Sequence, residues 1–268
     1  MARNSLKSVC RLLNETTAKM PVEKGFLADL QRSIEISANN EQRQPSRSYK
    51  PSSMNCIRNM YFQRMGVLVV GDADYLNVGI CNTGSDTHQR IQEAVCKMKA
   101  NGMDCEYVDV AKYIKSRKLN NIEIVSKSDF KKGIYETKLF HNDLQMSFLC
   151  DGIIKYKGHY YILEIKTEAS YKWQARKGVD ESHYMQGTAY SIAFNIPEVL
   201  FVYINRDSMD MKSYLFVPTD EMKNELVGTI DACEQCVKKS MVPSKPENLN
   251  RKACQYCNYV EECRKYGD

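Results

Sequence analysis

Three ionisable residues near the middle of the chain, Asp151, Glu164 and Lys166, carry the clearest chemical signal. They lie in the run Cys150-Asp151-Gly152-Ile153-Ile154-Lys155-Tyr156-Lys157-Gly158-His159-Tyr160-Tyr161-Ile162-Leu163-Glu164-Ile165-Lys166-Thr167. Two carboxylates meeting at one point repel each other unless a cation sits between them. Hard oxygen donors of this kind suit Mg²⁺ or Mn²⁺. Such an ion polarises a phosphate oxygen and makes a bound water a nucleophile at neutral pH. A lysine beside that water can orient it or take its proton. A lone D…E-x-K string is common, however, and an amphipathic hairpin with solvated Asp, Glu and Lys also explains it. The elements around it must decide.

Residues 146–156 and 159–166 alternate apolar and polar side chains, with Lys157-Gly158-His159 as a glycine-containing turn between them. The segment reads as a β-hairpin. Asp151 then sits within the first strand, and Glu164 and Lys166 share one face at the end of the second. Upstream, Ser52-Ser53 starts a helix that runs to Gly66 and carries Cys56, Arg58 and Arg64. Cys56 taken alone is equally a small buried apolar residue. A second helix over 83–95 follows a glycine-bearing turn, capped by Ser85 or Asp86. His88, Ile91, Gln92 and Val95 share one of its faces. A lone histidine there is ordinarily structural, but beside a carboxylate site it becomes a third metal ligand.

Strands are expected over 122–125 and 134–140. Downstream, the basic stretch 172–177 holds Trp173 and Arg176, a candidate for stacking on bases or simply an exposed helix edge. Gln186 and Tyr190 lie on one face of a helix over 181–194. A strand over 197–204 pairs with 213–217, a helix covers 219–239, and the chain closes on Cys254-x2-Cys257-x5-Cys263.

At 268 residues the chain fits one large domain, or a domain plus an extension. Its longest apolar runs, such as 199–204, are far too short to span a bilayer. The first residues lack the apolar stretch of a secretory signal. With eleven cysteines this points to a reducing, cytoplasmic setting, where they serve as thiols or metal ligands rather than disulfides. Net charge is +5, and residues 1–50 hold nine Lys and Arg against five Asp and Glu, while the remainder holds 29 against 28. The basic excess at one end is compatible with a nucleic-acid partner. Residues 1–37 read as one or two helices, and the polar, proline-bearing stretch 38–53 as a linker. Residues 1–50 therefore form a basic N-terminal extension, available to DNA or a protein partner.

The ordered set His88, Asp151, Glu164-Ile165-Lys166 and Gln186-x3-Tyr190, with one cysteine before it and three after, resembles the RecB-type branch of the PD-(D/E)XK nuclease superfamily. More narrowly, it is similar to the iron–sulfur nucleases related to CRISPR-associated adaptation exonucleases and AddB-type nuclease domains. The resemblance covers residues 51–266. It implies an α/β fold with a mixed central β-sheet flanked by helices, a restriction-endonuclease-like core, and a C-terminal cysteine cluster, all within a nuclease domain over 51–268. By the same resemblance His88, Asp151, Glu164 and the backbone carbonyl of Ile165 hold Mg²⁺ or Mn²⁺, and Lys166 positions or deprotonates the attacking water. Gln186 and Tyr190 hold the scissile strand and support the lysine. Cys56, Cys254, Cys257 and Cys263 bind a [4Fe–4S] cluster that clasps the two ends of the domain.

The implied activity is a metal-dependent DNA exonuclease acting on single-stranded ends in recombination, repair or DNA processing. The alternatives are an endonuclease trimming flaps or fragments, and a catalytically idle iron–sulfur DNA-binding or assembly subunit. No G-x-x-x-x-G-K-[ST] phosphate loop is present, so no helicase motor accompanies the nuclease. A competing zinc template joins Cys233-x2-Cys236 to Cys254-x2-Cys257. The iron–sulfur set is preferred, because Cys233 and Cys236 sit in a run of helical spacing and zinc leaves Cys56 and Cys263 unexplained.

Overall fold

The computed structural model describes residues 21–40, 45–69, 74–246, 254 and 257–267. The chain divides into two compact units, residues 1–43 with 71–82, and residues 44–70 with 83–268. In the smaller unit, helix α1 (Val22–Asn40) buries none of its residues. It runs past residue 37, where the sequence suggested an end. The expected helical stretch over residues 1–20 lies outside the described residues.

In the larger unit a 3₁₀ turn at Pro51–Ser53 precedes helix α2 (Ile57–Arg64), whose N-cap residue is Cys56. Proline at the first position suits a helical turn, but the turn relaxes before α2 begins, so Ser52-Ser53 does not start the longer helix. Helix α3 (Tyr75–Lys97) runs unbroken through Thr83-Gly84-Ser85, where the sequence suggested a turn. Asp74 caps it instead: its Oδ1 accepts from the N–H groups of Leu76 and Asn77 at 2.9 and 3.0 Å. A glycine costs a helix about 1 kcal/mol relative to alanine, too little to break one capped elsewhere.

Strand β1 (Cys105–Val108) and helix α4 (Val110–Arg117) follow, then β2 (Ile122–Ser126), β3 (Thr137–His141) and β4 (Met146–Cys150). Next come β5 (Gly152–Tyr156), β6 (His159–Glu168), α5 (Ser170–Ala175), α6 (Tyr184–Phe194), β7 (Val199–Asn205) and β8 (Met211–Phe216). Helices α7 (Asp220–Lys238) and α8 (Val260–Arg264) complete the order. The central sheet runs β1-β5-β6-β7-β8, with β6 and β7 parallel and the other pairs antiparallel. A parallel pair needs a long crossover, which α5 and α6 supply. The fold is therefore α/β, a mixed central sheet flanked by helices.

A second, antiparallel sheet holds β2-β3-β4. This corrects one expectation. Residues 146–156 are not one strand of a hairpin but two strands in different sheets, and Asp151 is the bend between them. Tyr107 of β1 packs against this point, where a Cβ at Gly152 would stand 2.6 Å from its ring. The Tyr107 hydroxyl also donates to the Asp151 carbonyl. The β5–β6 hairpin itself is as expected, its turn formed by Lys157 and Gly158 at positive φ (48° and 85°), the pattern of a tight hairpin turn.

The pleat of β6 sorts its residues between two cores. Ile162 packs with Val199, Phe201, Ala189 and Phe194, whereas Leu163 and Ile165 pack with Ile204, Ile91 and Val95 of the opposite face. Glu164 and Lys166 therefore share the Ile162 face, toward α6. Tyr49, inside the stretch read as a linker, is fully buried, and its hydroxyl donates to Glu234 Oε1 at 2.7 Å. Its backbone bonds to Gln145 and Ser147 beside β4, so residues around it belong to this unit. One aromatic in a polar run anchors the segment, a contact that flanking polarity conceals. No helix among the described residues is long and apolar enough to cross a membrane.

Candidate active site

His88 on α3, Asp151 at the β4–β5 bend, Glu164 and Lys166 on β6, and Gln186 and Tyr190 on α6 come together in one cluster. His88 Nδ1 lies 3.1 Å from Asp151 Oδ1, and the Ile165 N–H donates to Asp151 Oδ2 at 2.6 Å. Lys166 Nζ donates to Glu164 Oε1 at 2.7 Å and to Gln186 Oε1 at 2.9 Å. Gln186 Nε2 in turn donates to Glu164 Oε1 at 2.6 Å. Glu164 is only 3% exposed, and its Oε2 is buried without a hydrogen-bond partner. Burial, then the nearby Asp151 charge, pushes its carboxyl up to about 7 against the opposing pull of Lys166. Burial lowers His88, but the hydrogen bond and charge of Asp151 outweigh it, and the imidazole ends above its ordinary value. Lys166 and His88 are the basic groups paired with these carboxylates among the described residues.

Tyr190 differs from expectation. It is almost wholly buried, its hydroxyl donating to the Leu149 carbonyl at 3.0 Å and accepting from Gln186 Nε2 at 3.1 Å. From that buried position it fixes Gln186, which in turn holds Lys166.

Sequence reading missed Glu136, which immediately precedes β3. His88, Glu136 and Asp151 each present a ligand atom within 4.8 Å of the others. Gln92 Nε2 donates to the Asp151 carbonyl at 2.8 Å, which ties the Asp151 backbone to the helix that carries His88. No motif spacing marks Glu136. The nearest clue was Gln92, one turn beyond His88 on the same helix face.

The cysteines form a second focus. Cys56, Cys254, Cys257 and Cys263 line one cavity of about 560 Å³, together with Lys166, His183 and Gln186. Asn59 Nδ2 approaches Cys257 Sγ at 3.5 Å, and Arg58 Nη1 approaches Cys263 Sγ at 3.4 Å. Arg58 is 4% exposed, and its other partners are the carbonyls of Pro243 and Gly267. Among the described residues it pairs with no carboxylate, so the neighbouring sulfurs are what remains to balance its charge. Burial raises the Cys56 thiol, and the charges of Cys263 and Cys254 add to the rise.

The zinc alternative is split apart. Cys233 is fully buried against Ile57 and Tyr49, burial pushing its thiol up to about 11, and neither it nor Cys236 lines the cavity. Among the described residues no three cysteine sulfurs lie within 4.8 Å of one another. Tetrahedral zinc with Zn–S near ~2.3 Å would hold them about 3.8 Å apart.

The basic stretch 172–177 is not a stacking surface. Trp173 Nε1 donates to the Tyr203 carbonyl at 3.0 Å, and Lys212 covers its ring at 4.2 Å. Arg176 is tied to Glu168 and Asp180 and lies over the Tyr203 ring at 4.2 Å. These side chains are spent on joining β6, α5 and β7.

No protein-family model matches the chain, and no curated protein matches it. Among solved structures, the chain is similar to the crystal structure of SSO0001 at 16% identity and a TM-score of 0.44, over 89% of this chain and 96% of that one. LHK-Exo in complex with dAMP aligns at 12% identity and a TM-score of 0.41, over 78% and 94% of the two chains. The alkaline exonuclease LHK-Exo from Laribacter hongkongensis aligns at 11% identity and a TM-score of 0.37, over 79% and 95%.

Proposed function

We propose that this chain is a metal-dependent nuclease that hydrolyses phosphodiester bonds in DNA, working as an exonuclease on single-stranded ends. The observation that carries the reading is Glu164: a buried carboxylate with one oxygen unpartnered, beside a second carboxylate and a histidine, is costly unless a cation completes it. His88, Asp151, Glu164 and the Ile165 carbonyl would hold Mg²⁺ or Mn²⁺. A cation there supplies Lewis-acid polarisation of a phosphate oxygen and a more acidic attacking water.

The chain's own groups do the rest. Lys166 Nζ has two of its three donor positions committed to Glu164 and Gln186, which aims the third at a water or phosphate oxygen. Gln186, braced by Tyr190, keeps the lysine from swinging away. Cys56, Cys254, Cys257 and Cys263 would hold a [4Fe–4S] cluster. The shared cavity, the N–H groups directed at sulfur and the buried Arg58 charge fit an anionic thiolate centre wider than one zinc ion.

The test is cleavage of end-labelled linear and circular DNA, single- and double-stranded, with Mg²⁺, Mn²⁺ or chelator. Linear single strands should be degraded only with metal, and circles should survive. Asp151→Ala and Glu164→Ala should abolish turnover in folded protein, and Lys166→Ala should lose most of it. Cut circles would make the enzyme an endonuclease. A wild-type protein with either cation that cleaves nothing would leave only the idle DNA-binding subunit.

A further inference from the structure

Glu136 lies outside the residue set that the family resemblance supplies, yet it stands with His88 and Asp151. One ligand atom each of His88, Glu136 and Asp151 falls within 4.8 Å of the others. Gln92, 2% exposed, holds the Asp151 backbone carbonyl at 2.8 Å, so Asp151 is tied to the same helix that carries His88. Asp151 uses its two oxygens separately, Oδ1 toward His88 and Oδ2 toward the Ile165 N–H. Independently, Glu164 Oε2 is buried and unpartnered, and Glu164 interacts with Asp151 and His88.

The charges do not balance. Asp151, Glu136 and Glu164 bring three carboxylates together, and Lys166 is the only lysine or arginine bonded to any of them among the described residues. A group that merely braced Asp151 would do so better as an amide, as Gln92 already does. A carboxylate at this position adds repulsion that a bound cation relieves.

We propose that Glu136 is a direct ligand of the divalent cation, contributing a carboxylate oxygen beside His88 and Asp151. This rests on the metal-dependent reading above and adds a ligand to it. An imidazole nitrogen among carboxylate oxygens suits Mn²⁺ at least as well as Mg²⁺.

The experiment replaces the ligand type rather than deleting it. Glu136→Gln and Glu136→Cys would be prepared with wild type and Asp151→Asn, and Mn²⁺ and Cd²⁺ binding followed by calorimetry and ultraviolet absorption. Glu136→Gln should weaken Mn²⁺ at least about tenfold, the lower end for disturbing a metal's surroundings. Glu136→Cys should lose Mn²⁺ and gain one tight Cd²⁺, with a thiolate-to-cadmium band absent from wild type, because soft sulfur selects soft metals. Glu136→Cys that binds Cd²⁺ no better than wild type, while wild type binds Mn²⁺ normally, overturns the ligand role and leaves the metal reading standing. Wild type that binds no Mn²⁺, or Asp151→Asn that binds it undiminished, overturns the metal reading itself.

Discussion

Glu164→Gln should make the metal-free protein more stable while destroying its activity. The substitution keeps shape and leaves an oxygen to accept from Lys166 and Gln186, but removes the buried charge. In the folded chain the Glu164 carboxyl is pushed from its ordinary 4.5 up to about 7, chiefly by burial and then by Asp151. A carboxyl whose folded value is raised favours folding below its unfolded value and loses that favour as pH rises through the folded one. The window is therefore about pH 4.5 to 7, with the full penalty above it. At ~1.4 kcal/mol per tenfold, the penalty is about 3 kcal/mol. For a chain of this size that corresponds to a melting shift of about 6–12 °C.

The assay is thermal melting with chelator present, from pH 5 to 8.5, for wild type and variant. The curves should meet near pH 5 and separate with rising pH, the variant melting higher at pH 8. Raised His88 acts in the same direction and draws part of its rise from the Glu164 charge, so the difference reports Glu164 together with that share of His88. Mn²⁺ at about 100 times its dissociation constant should restore about 2.7 kcal/mol to wild type at pH 8 and little to the variant. Parallel melting curves across the whole range would refute the claim that this carboxylate is held charged at a cost.

Gly152→Ala forces a Cβ to within 2.6 Å of the Tyr107 ring and so displaces the hydroxyl that holds the Asp151 carbonyl; cleavage should fall at least about tenfold with about 1–3 kcal/mol of stability lost by overpacking, read from a melt and a cleavage assay on one preparation. Arg176→Ala strips the buried partner from Glu168 and should cost about 3–5 kcal/mol in a denaturant titration, yet leave activity per folded molecule unchanged, because none of its bonds reaches the cluster. Cys56→Ser should abolish brown colour in protein purified without oxygen, while Cys233→Ser, altering a thiol packed away from the cavity, should leave the colour intact; the reverse result would reassign the ligands.

Local pattern made much of this protein legible. The β5–β6 hairpin follows from alternation and a Lys-Gly turn, and the two-residue spacing of Glu164 and Lys166 puts both on one face wherever the strand goes, because the pleat has period two. Helix α6 likewise carries Gln186 and Tyr190 on one side whatever it packs against. Periodicity could not reveal what depends on a neighbour distant in sequence. At the Asp151 bend Tyr107, in a strand far upstream, occupies the space a side chain at 152 would need. Helix α3 runs through its glycines because Asp74 caps it well before Ser85. Tyr49 is core rather than linker because Glu234 and the edge of β4 receive it. Arg176 is spent on Glu168 and Tyr203, which alone removes it from any nucleic-acid surface. Glu136 shows the division most sharply. Its residue type was visible from the start, but a carboxylate becomes a candidate ligand only when His88 on α3 and Asp151 at the β4–β5 bend converge on it, and that convergence is a property of the packed chain.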